Sequence, residues 1–299
     1  MAGINTSEQN LVWGDEGVLS LRYIGTPGRA FEPIFLGGGC GLISRHAMTA
    51  ANGFVFWMSN TRQFFAFRGI GNNALGKPET VNCPIQAEVF DNLDYRQALK
   101  IHAGMNTTFA EAWFFYPDTR DAVVPPGVSY PVGECSRVAA VAWTQATDEG
   151  VPWSTHTIGR TAWVAPGTFL NPIGFGALND NSYMFLHESG KTANGERLGA
   201  MIRSAPFDAG EGDKMLAVLG IHPHFTDHEG TINFRFHSRF SHYGQELTHG
   251  PFPATPATEF LYPRFQGRQV DMEIEWVTTG GFGRLGSIQL DMKVTGNGR

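Results

Sequence analysis

Charge is scarce in this chain, and clustered positive charge is missing. Asp, Glu, Lys and Arg make up 17% of its 299 residues, where an ordinary soluble domain carries about a quarter. Much of the surface must therefore be neutral or covered by partners, which favours an assembly component over a free monomer. No run of Lys and Arg exists and the formal net charge is −6, which argues against a surface built to hold nucleic acid by neutralising phosphates. A mildly acidic wall can still stand beside moving DNA, because like charge repels phosphate instead of binding it.

Cysteine is almost as sparse. Cys40, Cys83 and Cys135 are odd in number and far apart, with no CxxC pair and no His at metal spacing, so they read as small buried hydrophobes in a reducing compartment. No apolar run approaches the roughly 18 residues of a membrane span. The segment Met1–Asn10 is polar and lacks an apolar h-region. The expectation is a protein made and used without a signal peptide or membrane span. Catalytic signatures are missing too: there is no GxSxG, P-loop, HExxH or dinucleotide fingerprint. Gly69-Ile70-Gly71 and Gly280-Gly281-Phe282-Gly283 do not open helices, as phosphate cradling requires, and read as turns.

What is present is the vocabulary of strands and tight turns. The 37 Gly and 17 Pro are scattered, not gathered in tracts, and 23 Phe with 7 Trp exclude disorder. Gly53-Phe54-Val55-Phe56-Trp57-Met58, the polar link Ser59-Asn60-Thr61-Arg62 and Gln63-Phe64-Phe65-Ala66-Phe67-Arg68-Gly69 read as a hairpin whose strands are buried on both faces. Further strands are expected at Phe109–Tyr116, Arg137–Gln145, Trp153–Ile158 and Arg160–Ala165. A second hairpin is expected from Pro172–Leu178 and Ser182–Glu188 across Asn179-Asp180-Asn181. Double-sided apolar strands recurring at roughly 40–50-residue intervals are the cue for β-propeller blades. The main helical candidate is Asp94–Ala103, capped by Asp91 or Asp94, with Leu99 and Ile101 as its apolar side.

The charged, Gly-rich stretch Glu188–Arg197 reads as a boundary, after which the pattern changes. Ile232, Phe234, Phe236 and Phe240 alternate with polar residues, as do Val270, Met272, Ile274 and Trp276, and Ile288, Leu290 and Met292. Strict alternation means one buried and one wet face, as in an antiparallel sandwich. The expectation is an all-β chain of two modules: propeller-like blades over residues 1–190 and a β-sandwich over 191–299, in line with about two domains for this length.

Three polar clusters invite a chemical reading. His222-Pro223-His224 on a strand would point both imidazoles to one face, and Asp227 and His228 in the next turn could complete a metal shell. Pro223 and the loop composition point instead to a strand running out into a turn with solvated side chains. Glu273 and Glu275 share one strand face about 6–7 Å apart, a spacing that suggests a glycosidase carboxylate pair but is also the ordinary wet face of a sandwich strand. Asp208-Ala209-Gly210-Glu211-Gly212-Asp213 is acidic and Gly-rich but lacks the ligand spacing of a calcium loop. The expected catalytic, cofactor-binding and metal-ligating sets are therefore empty.

In their order along the chain, several stretches resemble the tail nozzle or hub proteins of short-tailed bacteriophages, the packaged-DNA stabilisation family. They are Cys40-Gly41-Leu42-Ile43; the 53–58 and 64–69 runs; Lys100-Ile101-His102-Ala103-Gly104-Met105-Asn106; Glu111-Ala112-Trp113-Phe114-Phe115-Tyr116-Pro117; Arg160-Thr161-Ala162-Trp163; Leu186-His187-Glu188-Ser189-Gly190; Gly267-Arg268-Gln269-Val270; and Arg284-Leu285-Gly286. Each is a packing signature, and none is a chemical one. The resemblance implies a homo-hexameric ring, built on a β-propeller, below the portal and adaptor of the virion tail. It would extend the DNA channel and retain the genome, meet adaptor and tail needle or fibre proteins, let double-stranded DNA pass without specific binding, and assemble in the host cytoplasm. It implies no enzyme activity and no cofactor. Members of that family commonly carry further blades ahead of the region matched by Leu11-Val12-Trp13 and Leu19-Ser20-Leu21-Arg22-Tyr23. Either this chain is a shortened version, or its missing blades come from another chain. Two rivals remain: a tail-associated glycan-binding or depolymerase propeller, and another connector or adaptor ring of the tail.

Overall fold

The computed structural model describes residues 1–6, 10–51, 53–68, 76–122, 133–145, 150–167, 169–178, 181–193, 195–210 and 214–297. The chain is all-β and divides into two compact units, Met1–Ser189 and Gly190–Arg299.

Unit one lays down antiparallel meanders in chain order. The first sheet is β1 (Ala2–Asn5), β2 (Asn10–Trp13), β3 (Gly17–Thr26) and β4 (Arg29–Gly38). The second is β5 (Met48–Ala51), β6 (Phe54–Met58), β7 (Phe64–Arg68) and β8 (Glu79–Thr80), and the third is β9 (His102–Asn106), β10 (Glu111–Tyr116), β11 (Arg137–Ala142) and β12 (Trp153–His156). A fourth sheet has three strands, β13 (Ala162–Val164), β14 (Ile173–Leu178) and β15 (Asn181–Leu186). The opening strands of successive sheets adjoin, β1 with β5, β5 with β9 and β9 with β13. Between the second and third sheets the Ala103 N–H donates to the His46 carbonyl at 2.8 Å. Up-and-down sheets arranged around their first strands are propeller-like blades.

The double-sided apolar runs follow from this stacking. Side chains alternate across a strand, so Val55, Trp57, Phe65 and Phe67 face the first blade and join Leu11, Trp13, Val18 and Leu36 in one core. Phe56, Met58 and Phe64 face the third blade and meet Met105, Ala112, Phe114 and Tyr116. The third blade repeats the arrangement, sending Trp113, Phe115, Val138 and Ala140 towards Trp163 of the fourth. An interior blade thus buries two faces, which is why its strands read as continuous apolar runs.

The helical expectation is corrected. Helix α1 spans Gln86–Asn92 and buries Val89 and Phe90 between the second and third blades, while Tyr95–Lys100 forms a 3-10 turn in which Asp94 accepts from the Arg96 N–H at 3.1 Å. Leu99 is 81% exposed while Ile101 is buried, because the chain is already turning into β9 and the two do not share a helical face. The strand expected over Arg137–Gln145 ends at Ala142 and finishes as a 3-10 turn over Trp143–Gln145. Residues 69–71 and most of the Asn179–Asn181 turn lie outside the described residues.

Unit two begins with a small hairpin, β16 (Thr192–Ala193) with β17 (Glu196–Arg197). One sheet then holds β18 (Ala200–Arg203), β19 (Phe207–Asp208), β21 (Ile232–Arg239), β22 (Leu247–Ala254) and β24 (Gln269–Trp276). The other holds β20 (Lys214–Glu229), β23 (Phe265–Gly267) and β25 (Phe282–Asn297). Leu216, Val218 and Ile221 of the second sheet pack with Ile232, Phe234, Phe236, Val270, Ile274 and Trp276 of the first, forming the core of an antiparallel sandwich. Two expected core positions lie outside it. Phe240 follows the last residue of β21, and Met292 sits on the flanking strand β25, so both are exposed.

Candidate functional site

Two blade faces at the ends of the array in unit one carry exposed apolar side chains. Leu11 and Trp13 face the second blade, so the opposite parity of the first sheet must face away from it. The register puts Leu19 opposite Phe35 and Tyr23 opposite Phe31 on that outward side. Tyr23, Phe31 and Phe35 are exposed there, and Tyr23 meets Phe31 edge-on at 5.5 Å. At the other end Trp163 packs on Trp113 and Phe115 of the third blade. The opposite parity of the fourth sheet carries Val164, Phe175, Met184 and Leu186, all exposed; Ile173 on the same side is buried. Covering one of these partly exposed side chains would contribute at most about 1.5–3 kcal/mol, the value for burying one from full exposure. Among the described residues the fourth sheet also has one strand fewer than its three predecessors.

The junction of the third and fourth blades gathers side chains from stretches far apart in sequence. Trp163 Nε1 donates to the Met105 carbonyl at 3.0 Å, and Arg160 Nε donates to His187 Nε2 at 2.9 Å while its guanidinium lies 4.0 Å from the Phe185 ring centre. Burial and the adjacent Arg160 push His187 down to about 4, and burial pulls Arg160 down to about 10. The imidazole is thus neutral and fit to accept. Glu188 accepts from buried Asn106 at 2.8 Å, and its carboxyl is pushed above the usual range by burial and by nearby Glu111. Glu111 accepts from Trp113 Nε1 at 2.7 Å. Both carboxylates are committed to packing groups, and the cluster works as a rigid joint between blades. Glu111 and Glu188 belonged to no candidate pair in the sequence, because only the fold brings positions 77 residues apart together.

The sequence-derived candidates do not converge on chemistry. β20 continues through His222–His228 instead of running out into a turn. His222 packs edge-on against Phe260 at 4.3 Å, His228 lies 4.8 Å from Phe225, and Asp227 faces Arg284 at 3.9 Å. Among the described residues no group of three or more His, Cys, Asp and Glu is gathered as a ligand set. Glu273 and Glu275 both accept from Arg235 Nη1, at 2.8 and 2.7 Å. Arg235 and Arg197 hold Glu275 below the usual carboxylate range. The same face carries Arg203 on Asp271 at 2.7 Å and Arg239 on Glu246 at 2.8 Å, so it is a mutually neutralised charge ladder. Asp208 pairs in β19 opposite Gln269, and residues 211–213 lie outside the described set. Cys40, Cys83 and Cys135 are unpaired and buried, and burial pushes Cys83 and Cys135 up to about 12. Such thiols carry almost no thiolate and are poor nucleophiles. Among the described residues, no helix is long and apolar enough to cross a membrane.

No family model matches the chain, and no curated protein matches it. Solved structures that it resembles include two variants of the exo-beta-1,3-galactanase of Phanerochaete chrysosporium, each with beta-1,3-galactotriose. The first has a TM-score of 0.31 at 10% identity, covering 97% of this chain and 80% of that one. The second has a TM-score of 0.28 at 10% identity, covering 95% and 79%. Likeness at this level carries no argument about activity.

Proposed function

We propose that this chain is a structural subunit that joins copies of itself head to tail, the outward face of its fourth blade meeting the outward face of the next copy's first blade. In its most specific form it is a ring subunit of the tail nozzle or hub of a short-tailed bacteriophage, set below the portal and adaptor and helping to retain packaged DNA. One observation carries the self-assembly reading. The faces that meet inside the array share buried apolar cores, whereas Tyr23, Phe31 and Phe35 at one end and Phe175, Met184 and Leu186 at the other are exposed. A contact between two different patches is heterologous, and it closes into a ring when the rotation per subunit divides the circle. Low charge suits a subunit with covered surfaces, and no catalytic step belongs to this role. The order of the quoted stretches supports the tail assignment.

The test is in two stages. Mass measurement of the purified chain should find species larger than a monomer, and image averages of the virion tail should place the chain in a six-fold ring below the adaptor. A dilute monomer overturns the assembly reading. A ring found elsewhere in the tail, or no place in the virion, overturns only the nozzle assignment.

A further inference from the structure

The junctions between successive blades of unit one are not built alike. The first and second blades, and the second and third, meet through apolar cores. In the fourth sheet the middle strand β14 presents Gly174 and Gly176 towards the third blade, opposite Phe185 and Tyr183. The space a side chain would take at Gly174 is filled by a polar pair: a Cβ there would stand 2.7 Å from Arg160 Cδ and 2.8 Å from His187 Nε2. Arg160 Nε donates to His187 Nε2 at 2.9 Å, and the imidazole centre lies 4.7 Å from that of the Trp163 ring and 6.4 Å from that of Trp113 on the third blade. Nε2 accepts this bond only while it carries no proton. A proton there would set two cations and two donors face to face, because burial lowers Arg160 only to about 10 and its guanidinium stays charged in acid. The nearby carboxylates have other partners, Glu188 accepting from Asn106 and Glu111 from Trp113 Nε1, and His156, stacked on Trp113 at 5.8 Å, is one more base. The charge that acts on His187 is that of Arg160. On the other side of the same strand, β15, stand Met184 and Leu186 of the outward face.

We propose that His187 is a proton-operated latch: a proton on its Nε2 frees the fourth blade from the third, and with it the outward face through which copies join, so that assembled chains separate in mild acid while the first three blades stay folded. The release of copies rests on the self-assembly reading, whereas the opening of the blade does not. The closed joint holds the imidazole at about 4 against its ordinary 6.5, so the opened form takes up a proton between those values. Linkage then raises the opening equilibrium about twentyfold from pH 7 to pH 5. His156, also lowered by burial, adds to the effect, and the raised Glu188 opposes it.

The experiment is amide hydrogen exchange on the full chain at pH 7 and pH 5, each rate divided by the intrinsic rate at that pH, with particle mass measured by light scattering on the same samples. Exchange across β14 and β15 should rise about ten- to twentyfold while β6 and β10 stay within about threefold. The particles should shrink towards the monomer, and His187→Gln should remove both changes. If His187→Gln does not fold at pH 7, the imidazole titration of the parent by NMR decides in its place: a midpoint near 4 supports the latch, and one near 6.5 overturns it. A flat exchange rate across β14 and β15, an equal rise in every blade, or a rise that persists in folded His187→Gln would overturn the latch. Particles that stay intact at pH 5 although the blade opens would overturn its coupling to assembly. A parent already monomeric at pH 7 would overturn the release of copies together with the self-assembly reading, and the exchange result would still decide the latch.

Discussion

Gly104 lies directly beneath Trp163. A Cβ built on Gly104 would stand 2.1 Å from Trp163 Cδ1, closer than real atoms approach, while Trp163 Nε1 reaches past it to the Met105 carbonyl at 3.0 Å. The glycine is what allows the fourth blade to lie on the third. Gly104→Ala should therefore lower stability by about 1–3 kcal/mol through overpacking. Chemical denaturation checks this, with the tryptophan emission shifting to the red if Trp163 is displaced; unchanged stability would mean the contact is loose.

The joint around His187 predicts a pH dependence. Its folded pKa of about 4 lies below the ordinary imidazole value of 6.5, so between those values the unfolded chain takes up a proton that the folded chain refuses. Stability contributed by the neutral ring is fully present above about pH 6.5 and falls as the pH drops towards 4, by an amount on the order of 2–3 kcal/mol. His102 and His156, also lowered by burial, act in the same direction, and the raised Glu188 opposes them at the acid end. His187→Gln keeps an acceptor for Arg160 and should flatten the slope of unfolding free energy between pH 7 and 5. An unaltered slope would assign it to other groups.

The charge ladder of the sandwich gives a prediction of the opposite kind. Arg235→Gln leaves Glu273 and Glu275 side by side without their shared cation. The side chains are partly solvated, so the cost should be only a few tenths to about 1 kcal/mol, and it should shrink as salt screens the two carboxylates. Urea titrations at low and high salt measure both; a cost of several kcal/mol would mark this face as buried against a partner. Glu275 titrates below its usual range, so its contribution is present above the ordinary carboxylate pKa and disappears as the pH falls through the folded one.

Cys83 and Cys135 should resist alkylation in the native protein at neutral pH and react once denaturant opens the blades, because burial keeps both thiols protonated up to about 12. Rapid native labelling at Cys83 would show that the space around α1 opens readily.

The strands of the interior blades could be read directly, since Phe54–Met58 and Phe64–Phe67 are apolar at consecutive positions and only a sheet packed on both sides explains that. The sandwich was legible for the complementary reason: Val270, Met272, Ile274 and Trp276 recur at every second position with charged residues between. What escaped was local and short. Helix α1 offers too few turns for a periodicity to show, and its buried Val89 and Phe90 gain their place from the blades they join, not from an amphipathic stripe. The joint of Trp113, Arg160, Trp163 and His187 draws on separate segments of the chain, none of which looks unusual in its own stretch. The uncovered end faces were hidden too, because an apolar residue such as Phe35 or Met184 carries no mark in the sequence of whether a neighbour will cover it.

Head-to-tail assembly is most directly tested by mixing two surface variants, Phe35→Glu on the first blade and Met184→Glu on the fourth, and measuring particle mass by light scattering. Each variant loses one of the two complementary patches, so each alone should remain a monomer while the parent forms larger species. Their mixture should yield one-to-one dimers and nothing larger, because a single intact pair of faces survives. A monomeric parent, or single variants that assemble as the parent does, would contradict the account.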